Sequence, residues 1–143
     1  MTIYEHEAQY YETDQMGIIH HSNYLRWFES ARIQYLKEIG IDYGKCEEMG
    51  FLSPVMEVSC CYKSMVRFGE TVQIYTRFEE YSGAKFFVSY EVRDKQTGEL
   101  RTTGRSKHCF TDKEGRPISL KRMFPEIHER FLQAVEPQTD TAI

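Results

Sequence analysis

Residues 2–10 alternate apolar and polar positions, with Ile3, Tyr4, Ala8 and Tyr10 prominent, and this period of two predicts a first strand. The alternation breaks at residues 13–22, TDQMGIIHHS, where a glycine and several polar residues without a clean period predict a connecting loop able to hold chemistry. Tyr24, Trp27, Phe28, Ala31, Tyr35 and Ile39 then recur at helical spacing and predict a helix over 23–39. Leu25 and Leu36 widen its apolar stripe, so the helix is expected to be well buried. Ser22 or Asn23 is placed to cap its start. Gly40 stands where a left-handed residue closes a helix, and Lys37 favours the carbonyl end. At 1.5 Å per residue the helix spans about 25 Å, the thickness of a small domain.

A short helical piece is expected over 42–49. Beyond it the pattern returns to period two: Val72, Ile74 and Thr76 alternate with Gln73, Tyr75 and Arg77, and Val88, Tyr90 and Val92 interleave with Phe87, Ser89, Glu91 and Arg93. Turn signals at Phe68-Gly69-Glu70, Ser82-Gly83, Thr97-Gly98 and Glu114-Gly115 divide this region into strands of about ten residues, joined as antiparallel hairpins. Phe124, Ile127, Phe131, Leu132 and Val135 predict a last helix. One long apolar helix beside a long antiparallel sheet is stable when the sheet curls around the helix, an α+β architecture. The expected organisation is a single domain over 1–135 and a polar tail over 136–143 that frays.

Composition narrows the function classes. A chain of 143 residues that is 41% hydrophobic and 14% aromatic can fill one core but not two. The net charge of -4 argues against a general nucleic-acid surface, which needs clustered Lys and Arg. The sequence has no apolar run of membrane-spanning length, and the start MTIYEHEAQYYETD lacks the basic and apolar regions of a signal peptide, so the cytoplasm is the expected compartment. Cys46, Cys60, Cys61 and Cys109 form no C-x-x-C pair and are expected to be reduced, mostly packing residues, with Cys60 and Cys61 on opposite strand faces. The five histidines lack metal-ligand spacing, and neighbouring His20 and His21 are expected to point two ways, so neither a metal nor a cofactor is anticipated.

The chain has no G-x-S-x-G, H-E-x-x-H, P-loop or G-x-G-x-x-G motif. What remains is the loop before the helix, where Asp14 is followed by Gly17 and then His20, His21, Ser22 and Asn23. Helix N-termini present unpaired amides and the positive end of the helix dipole, which can hold an oxyanion. A carboxylate nearby supplies the other need of acyl hydrolysis, a nucleophile or a base for water. On spacing alone, however, an Asp beside a Gly is an ordinary turn.

The stretch YYETDQMGIIHHSNYLRWFESAR resembles the signature of the 4-hydroxybenzoyl-CoA thioesterase-like family, in particular its YbgC-type acyl-CoA thioesterases: Asp-x-x-Gly, two apolar residues, then a His or aromatic and an Asn-Tyr pair entering the central helix. The stretch MVRFGETVQIYTRFEEYSGAKFFVSYEVRDKQTGEL is similar to the family's sheet, and the likeness runs to about Ser119. The resemblance implies a hotdog fold and thioester hydrolysis of an acyl-CoA. It places the catalytic Asp on Asp14, as nucleophile or general base, the carbonyl-polarising amide on His21, and the tight-turn glycine on Gly17. His20 stands where the branch more often has Tyr. Asn23 and Tyr24 match the pair at the helix entry.

Lys63, Arg67, Arg101 and Arg105 are candidates for the CoA phosphates, although Arg101, Arg105 and Lys107 on one strand face also read as a solvated surface. Glu29 is close enough in sequence to orient substrate, but also fits an exposed or ion-paired Glu. A hotdog-fold enoyl-CoA hydratase or dehydratase using Asp14 with His20, and a non-catalytic acyl-CoA-binding module, are the rival readings. The Asp-x-x-Gly arrangement speaks against the first and the intact Asp14 against the second. A sheet curled around one helix leaves an exposed strand edge, so a homodimer or homotetramer is expected.

Overall fold

The computed structural model describes residues 2–136; of the expected tail, all but Glu136 lies outside them. Strand β1 (Thr2–Glu7) leads through a single 3₁₀ turn (Tyr10–Glu12) to helix α1 (Ser22–Glu38) and helix α2 (Tyr43–Met49). Strands β2 (Val55–Tyr62), β3 (Thr71–Tyr81), β4 (Lys85–Asp94) and β5 (Leu100–Cys109) follow, then helices α3 (Leu120–Met123) and α4 (Pro125–Ala134). The described strands form one antiparallel sheet in the order β1-β3-β4-β5-β2. This is the α+β sheet-around-helix arrangement expected from the pattern. Glycines at all four turn signals take positive φ, and Gly40 does so after α1 at 86°.

The alternation in β3 and β4 sets the buried face. Val72, Ile74, Thr76 and Phe78 point to the helix layer with Phe86, Val88, Tyr90 and Val92, all almost fully buried. Against them α1 presents Tyr24, Trp27, Phe28, Ala31, Tyr35 and Leu36. Each large apolar side chain so buried contributes about 1.5–3 kcal/mol relative to exposure. Phe28 stacks on Tyr90 with ring centroids 4.3 Å apart, and Tyr35 stacks on Phe78 at 4.5 Å. Phe28 reaches this depth because residue 104 is glycine: a β-carbon there would overlap its ring.

The helix is less enclosed than its stripe suggested. Leu25 is 39% exposed, because it lies on the side of α1 that faces the edge strand β2. Leu132, expected in the last helical stripe, is 46% exposed, and Val135 lies just past the end of α4. The sheet covers α1 along β1, β3, β4 and β5 but leaves β2 open, with every residue except Cys60 exposed. The chain past α4 is tied down: Tyr35 donates to the Ala134 carbonyl at 3.0 Å, and the Glu136 amide donates to Phe78 at 2.8 Å. Among the described residues no helix is long and apolar enough to cross a membrane.

Candidate active site

The segment before α1 is better ordered than a patternless loop. Asp14 N–H donates to the Ile18 carbonyl at 2.9 Å, and Gly17 N–H donates back to the Asp14 carbonyl at 3.1 Å. Thr13 bridges Ile19, making a miniature hairpin. Gly17 closes it at φ 76°, a conformation that side-chain-bearing residues rarely adopt. Ile18 in turn bridges Arg67, and Ile19 N–H donates to Val66 at 2.9 Å, so the hairpin is stitched to the chain entering β3.

Within this hairpin Asp14 is half-buried. Its Oδ1 accepts the Met16 N–H at 2.8 Å, and the other carboxylate oxygen has no hydrogen-bond partner among the described residues. Asp14 and His21 line one cleft of about 280 Å³, together with Ile19, Tyr24, Tyr62 and Lys63. The N–H of His21, at the mouth of α1, has no acceptor among the described residues, whereas its carbonyl accepts from Tyr62 at 3.2 Å. Tyr62 lies at the end of β2, so the cleft is the seam between the start of α1 and the edge strand.

The helix start departs from expectation. His21 occupies the cap position with helical dihedrals (φ -54°, ψ -29°) and no side-chain cap, so neither Ser22 nor Asn23 caps α1. Asn23 is buried and instead donates its amide to the carbonyls of Glu12 (2.9 Å) and His20 (3.2 Å), tying the loop onto the helix. Ser22 is taken by Nδ1 of His20 at 2.8 Å. The rings of His20 and His21 do not point two ways: they lie 4.1 Å apart at 32°, because the chain is already turning helically there and not extended.

Beneath the loop is a carboxylate that the sequence pattern did not single out. Glu12 is 5% exposed and accepts from Trp27 Nε1, Gln9 N–H and His6 Nε2, each at 2.8 Å. Burial by itself raises its pKa, but the three hydrogen bonds together outweigh that and hold it below the ordinary carboxylate value. Its carbonyl accepts from His20 and Asn23. Glu12 thus binds β1, the Asp14 hairpin and α1 into one unit. In sequence it is one more Glu in a polar stretch; only its contacts, fifteen residues away at Trp27, distinguish it.

The basic candidates divide. Lys63 lines the cleft, and Arg67 is exposed on the strand segment bridged to Ile18. Arg101 is not in the lining but stands behind it: its guanidinium is held by Glu70 at 2.9 Å, Asp94 at 3.2 Å and Glu99 at 3.1 Å and donates to Ser64 of the cleft wall at 3.3 Å, and the Thr97 amide first, then Arg101 and the Gln96 amide, hold Asp94 below its usual range against the effect of burial. Arg105 is on the outer sheet face, paired with Glu79 at 3.1 Å and resting over Phe87. Cys46 is buried, but Cys61 is exposed on the edge strand, and all four cysteines are free. Among the described residues no group of three or more His, Cys, Asp or Glu is arranged as a metal site.

Residues 9–138 match the model of the thioesterase-like superfamily, and the chain belongs to that superfamily, a class of hotdog-fold thioester hydrolases. It is similar to the protein of Bacillus subtilis (strain 168) named "Putative acyl-CoA thioesterase YneP", 39% identical over 131 residues that cover 91% of this chain and 94% of the relative. Its structure is similar to that of a DHNA-CoA thioesterase from Staphylococcus aureus, with a TM-score of 0.88 and 38% identity over 92% of this chain and 89% of the other. A gentisyl-coenzyme A thioesterase structure, at 20% identity and a TM-score of 0.79 over 87% of this chain and 99% of the other, shares the fold.

Proposed function

We propose that the chain hydrolyses acyl-CoA thioesters to the free acid and CoA in the cleft between Asp14 and the start of α1. The observation that carries this is one cleft bordered by a carboxylate with one oxygen unengaged, and by a helix-start amide without an acceptor, among the described residues. The His21 N–H, at the positive end of the α1 dipole, donates to the thioester oxygen as charge develops there. As a general base, Asp14 takes a proton from the water that attacks the carbonyl carbon; as a nucleophile, it forms an anhydride that water then opens. In either route the carbon–sulfur bond breaks and the CoA sulfur leaves with the bonding pair. A single turnover in ¹⁸O-labelled water separates them, since only the anhydride route can leave label in Asp14.

Tyr24 lines the cleft, Gly17, His20 and Asn23 act from behind it by setting the hairpin and the helix start, and Lys63 in the lining and Arg67 on the adjoining segment meet the CoA phosphates, so added salt should raise the apparent KM. Arg101, held by three carboxylates behind Ser64, and Arg105, paired with Glu79 on the outer sheet face, are not assigned this role. The enzyme works as a homodimer joined along β2, which presents an unpaired strand edge together with exposed Val55, Met56, Val58 and Tyr62. Light scattering should find about twice 17.0 kDa at working concentration. Free cysteines, one of them exposed, suit a reducing cytoplasm.

Asp14→Asn tests the assignment. Asn keeps the size and turn-forming ability of Asp but loses the charge, so turnover should fall by about 10²- to 10⁴-fold while the fold and binding persist. Near-wild-type thiol release by the folded variant would overturn it, and loss of an enoyl chromophore without thiol release by the wild type would favour a hydratase.

A further inference from the structure

The segment joining β2 to β3, residues 63–70, supplies Lys63, Ser64 and Met65 to the lining of the cleft. It is fastened to the Asp14 hairpin through the Val66 carbonyl, which accepts from Ile19 N–H at 2.9 Å, and through the Ile18–Arg67 bridge. The position of this wall relative to Asp14 therefore depends on what holds the two ends of the segment.

Both ends lead to one residue of β5. At the near end the Arg101 carbonyl accepts from Lys63 N–H at 2.8 Å and from Ser64 N–H at 3.0 Å, and Arg101 Nη1 donates to Ser64 Oγ at 3.3 Å. At the far end Nη2 donates to Glu70 Oε2 at 2.9 Å, and Glu70 Oε1 accepts from Arg67 N–H at 2.7 Å. Asp94 holds the same Nη2 at 3.2 Å and is itself fixed by the Gln96 and Thr97 amides. A guanidinium is planar and its donors point in fixed directions, so Ser64 and Glu70 are spanned by a rigid fork and not by two independent contacts.

Stability alone does not account for this arrangement. Desolvation offsets much of the attraction in a largely buried ion pair. Arg101 Nε is also buried without an acceptor among the described residues, which costs further stability. What the fork supplies is a fixed separation between the two ends of the wall.

We propose that Arg101 is a positioning residue: relayed by Glu70, it holds residues 63–67 so that Lys63 and Arg67 meet the phosphates of CoA, and it governs capture of the CoA portion, not the chemical step. The inference rests on the thioester hydrolysis proposed above. Neither Arg101 nor Glu70 lines the cleft, so both act through the segment they hold.

The test compares one acyl group, the one hydrolysed fastest, on two thiols: CoA, and N-acetylcysteamine, which ends before the phosphates. Arg101→Met removes the fork but keeps the main-chain bonds to Lys63 and Ser64; thermal unfolding and light scattering check that it folds and assembles. For the CoA thioester kcat/KM should fall by about 10- to 100-fold, nearly all of it in KM, while the N-acetylcysteamine thioester changes by about threefold or less. The rise of KM with salt should flatten in the variant, since cations displaced from the phosphates leave little to screen. In a chain that also carries Lys63→Met and Arg67→Met, Arg101→Met should lower the CoA preference little further. Arg101→Lys, a point charge unable to span both ends, should restore only part of that preference. Glu70→Gln keeps one acceptor oxygen for two donors and should shift the preference in the same direction by about threefold or more; it decides the matter if Arg101→Met does not fold. An equal loss on both thioesters, no loss on either, or a full further loss in the chain lacking Lys63 and Arg67 would each overturn the proposal. Titration calorimetry with CoA separates it from the hydrolase reading. Binding weakened by about tenfold or more in Arg101→Met, with no hydrolysis of either thioester by the wild type, keeps the fork and defeats the hydrolase, whereas equal binding with hydrolysis does the reverse.

Discussion

Replacing Glu12 by Gln changes no charge that the cleft uses, yet it should disturb the Asp14 hairpin more than most surface substitutions would. The Glu12 oxygens take donors from Gln9, His6 and Trp27. A Gln side chain offers one acceptor oxygen and one amide donor, so its NH₂ must face at least one of those N–H groups. Losing a hydrogen bond to a charged group costs about 1.5–3 kcal/mol, and stranding a buried donor costs about 1–3 kcal/mol, so roughly 3 kcal/mol is expected. For a domain of this size that is a fall in Tm of roughly 10 °C. Because the Glu12 pKa is held below its unfolded value, its stabilisation is fully present above about pH 4.5 and is lost as pH falls through the folded pKa. The gap in Tm between wild type and variant should therefore narrow on acidification below that point. Loosening the hairpin also displaces Asp14, so kcat should fall by about tenfold or more with KM little changed. Calorimetric scans from pH 7 to 3 and steady-state thiol release on one preparation measure both. A variant that melts within about 2 °C of wild type at neutral pH, with unaltered kcat, would refute the claim that Glu12 holds the site together.

Gly104→Ala should cost about 1–3 kcal/mol in urea unfolding, since the new methyl overlaps the Phe28 ring, and Phe28→Leu in the same chain should recover part of the loss. Burial first, then the charge of Arg32, hold the His108 pKa down at about 3, against a pull from the Ser53 backbone. His108 is therefore neutral in the fold down to about pH 3 but takes up a proton below about pH 6.5 when unfolded, so stability should decline by up to about 1.4 kcal/mol per unit as pH drops from 6.5 to 5. His108→Gln, which keeps an acceptor for the Ser106 hydroxyl, should flatten that slope in chemical denaturation. Val58→Lys on the exposed edge strand should shift light scattering from about twice 17.0 kDa toward the monomer.

The period of hydrophobic positions by itself determined the elements: the stripe from Tyr24 to Ile39 makes a helix wherever it lies, and Val72-Ile74-Thr76 makes a strand with one buried face. The glycines at 40, 69, 83, 98 and 115 determined the turns, because their positive φ is a local property of residues without a β-carbon. Asp14, Gly17 and His21 stood out as a group only through the resemblance of residues 10–32 to a family signature, since their spacing alone reads as an ordinary turn. Other relations depend on which strands become neighbours. Glu12 under Trp27, Tyr62 over the helix start, Arg101 held behind the cleft wall by Glu70 and Asp94, and the hydrogen-bonded chain Arg32-Tyr90-Ser106-His108 each join residues whose separation in sequence carries no period. The expectation of a cap at Ser22 or Asn23 failed for one local and one tertiary reason. Ser22 is taken by its near neighbour His20, and Asn23 by the Glu12 carbonyl, a partner eleven residues back that reaches it only once the hairpin and α1 are packed together.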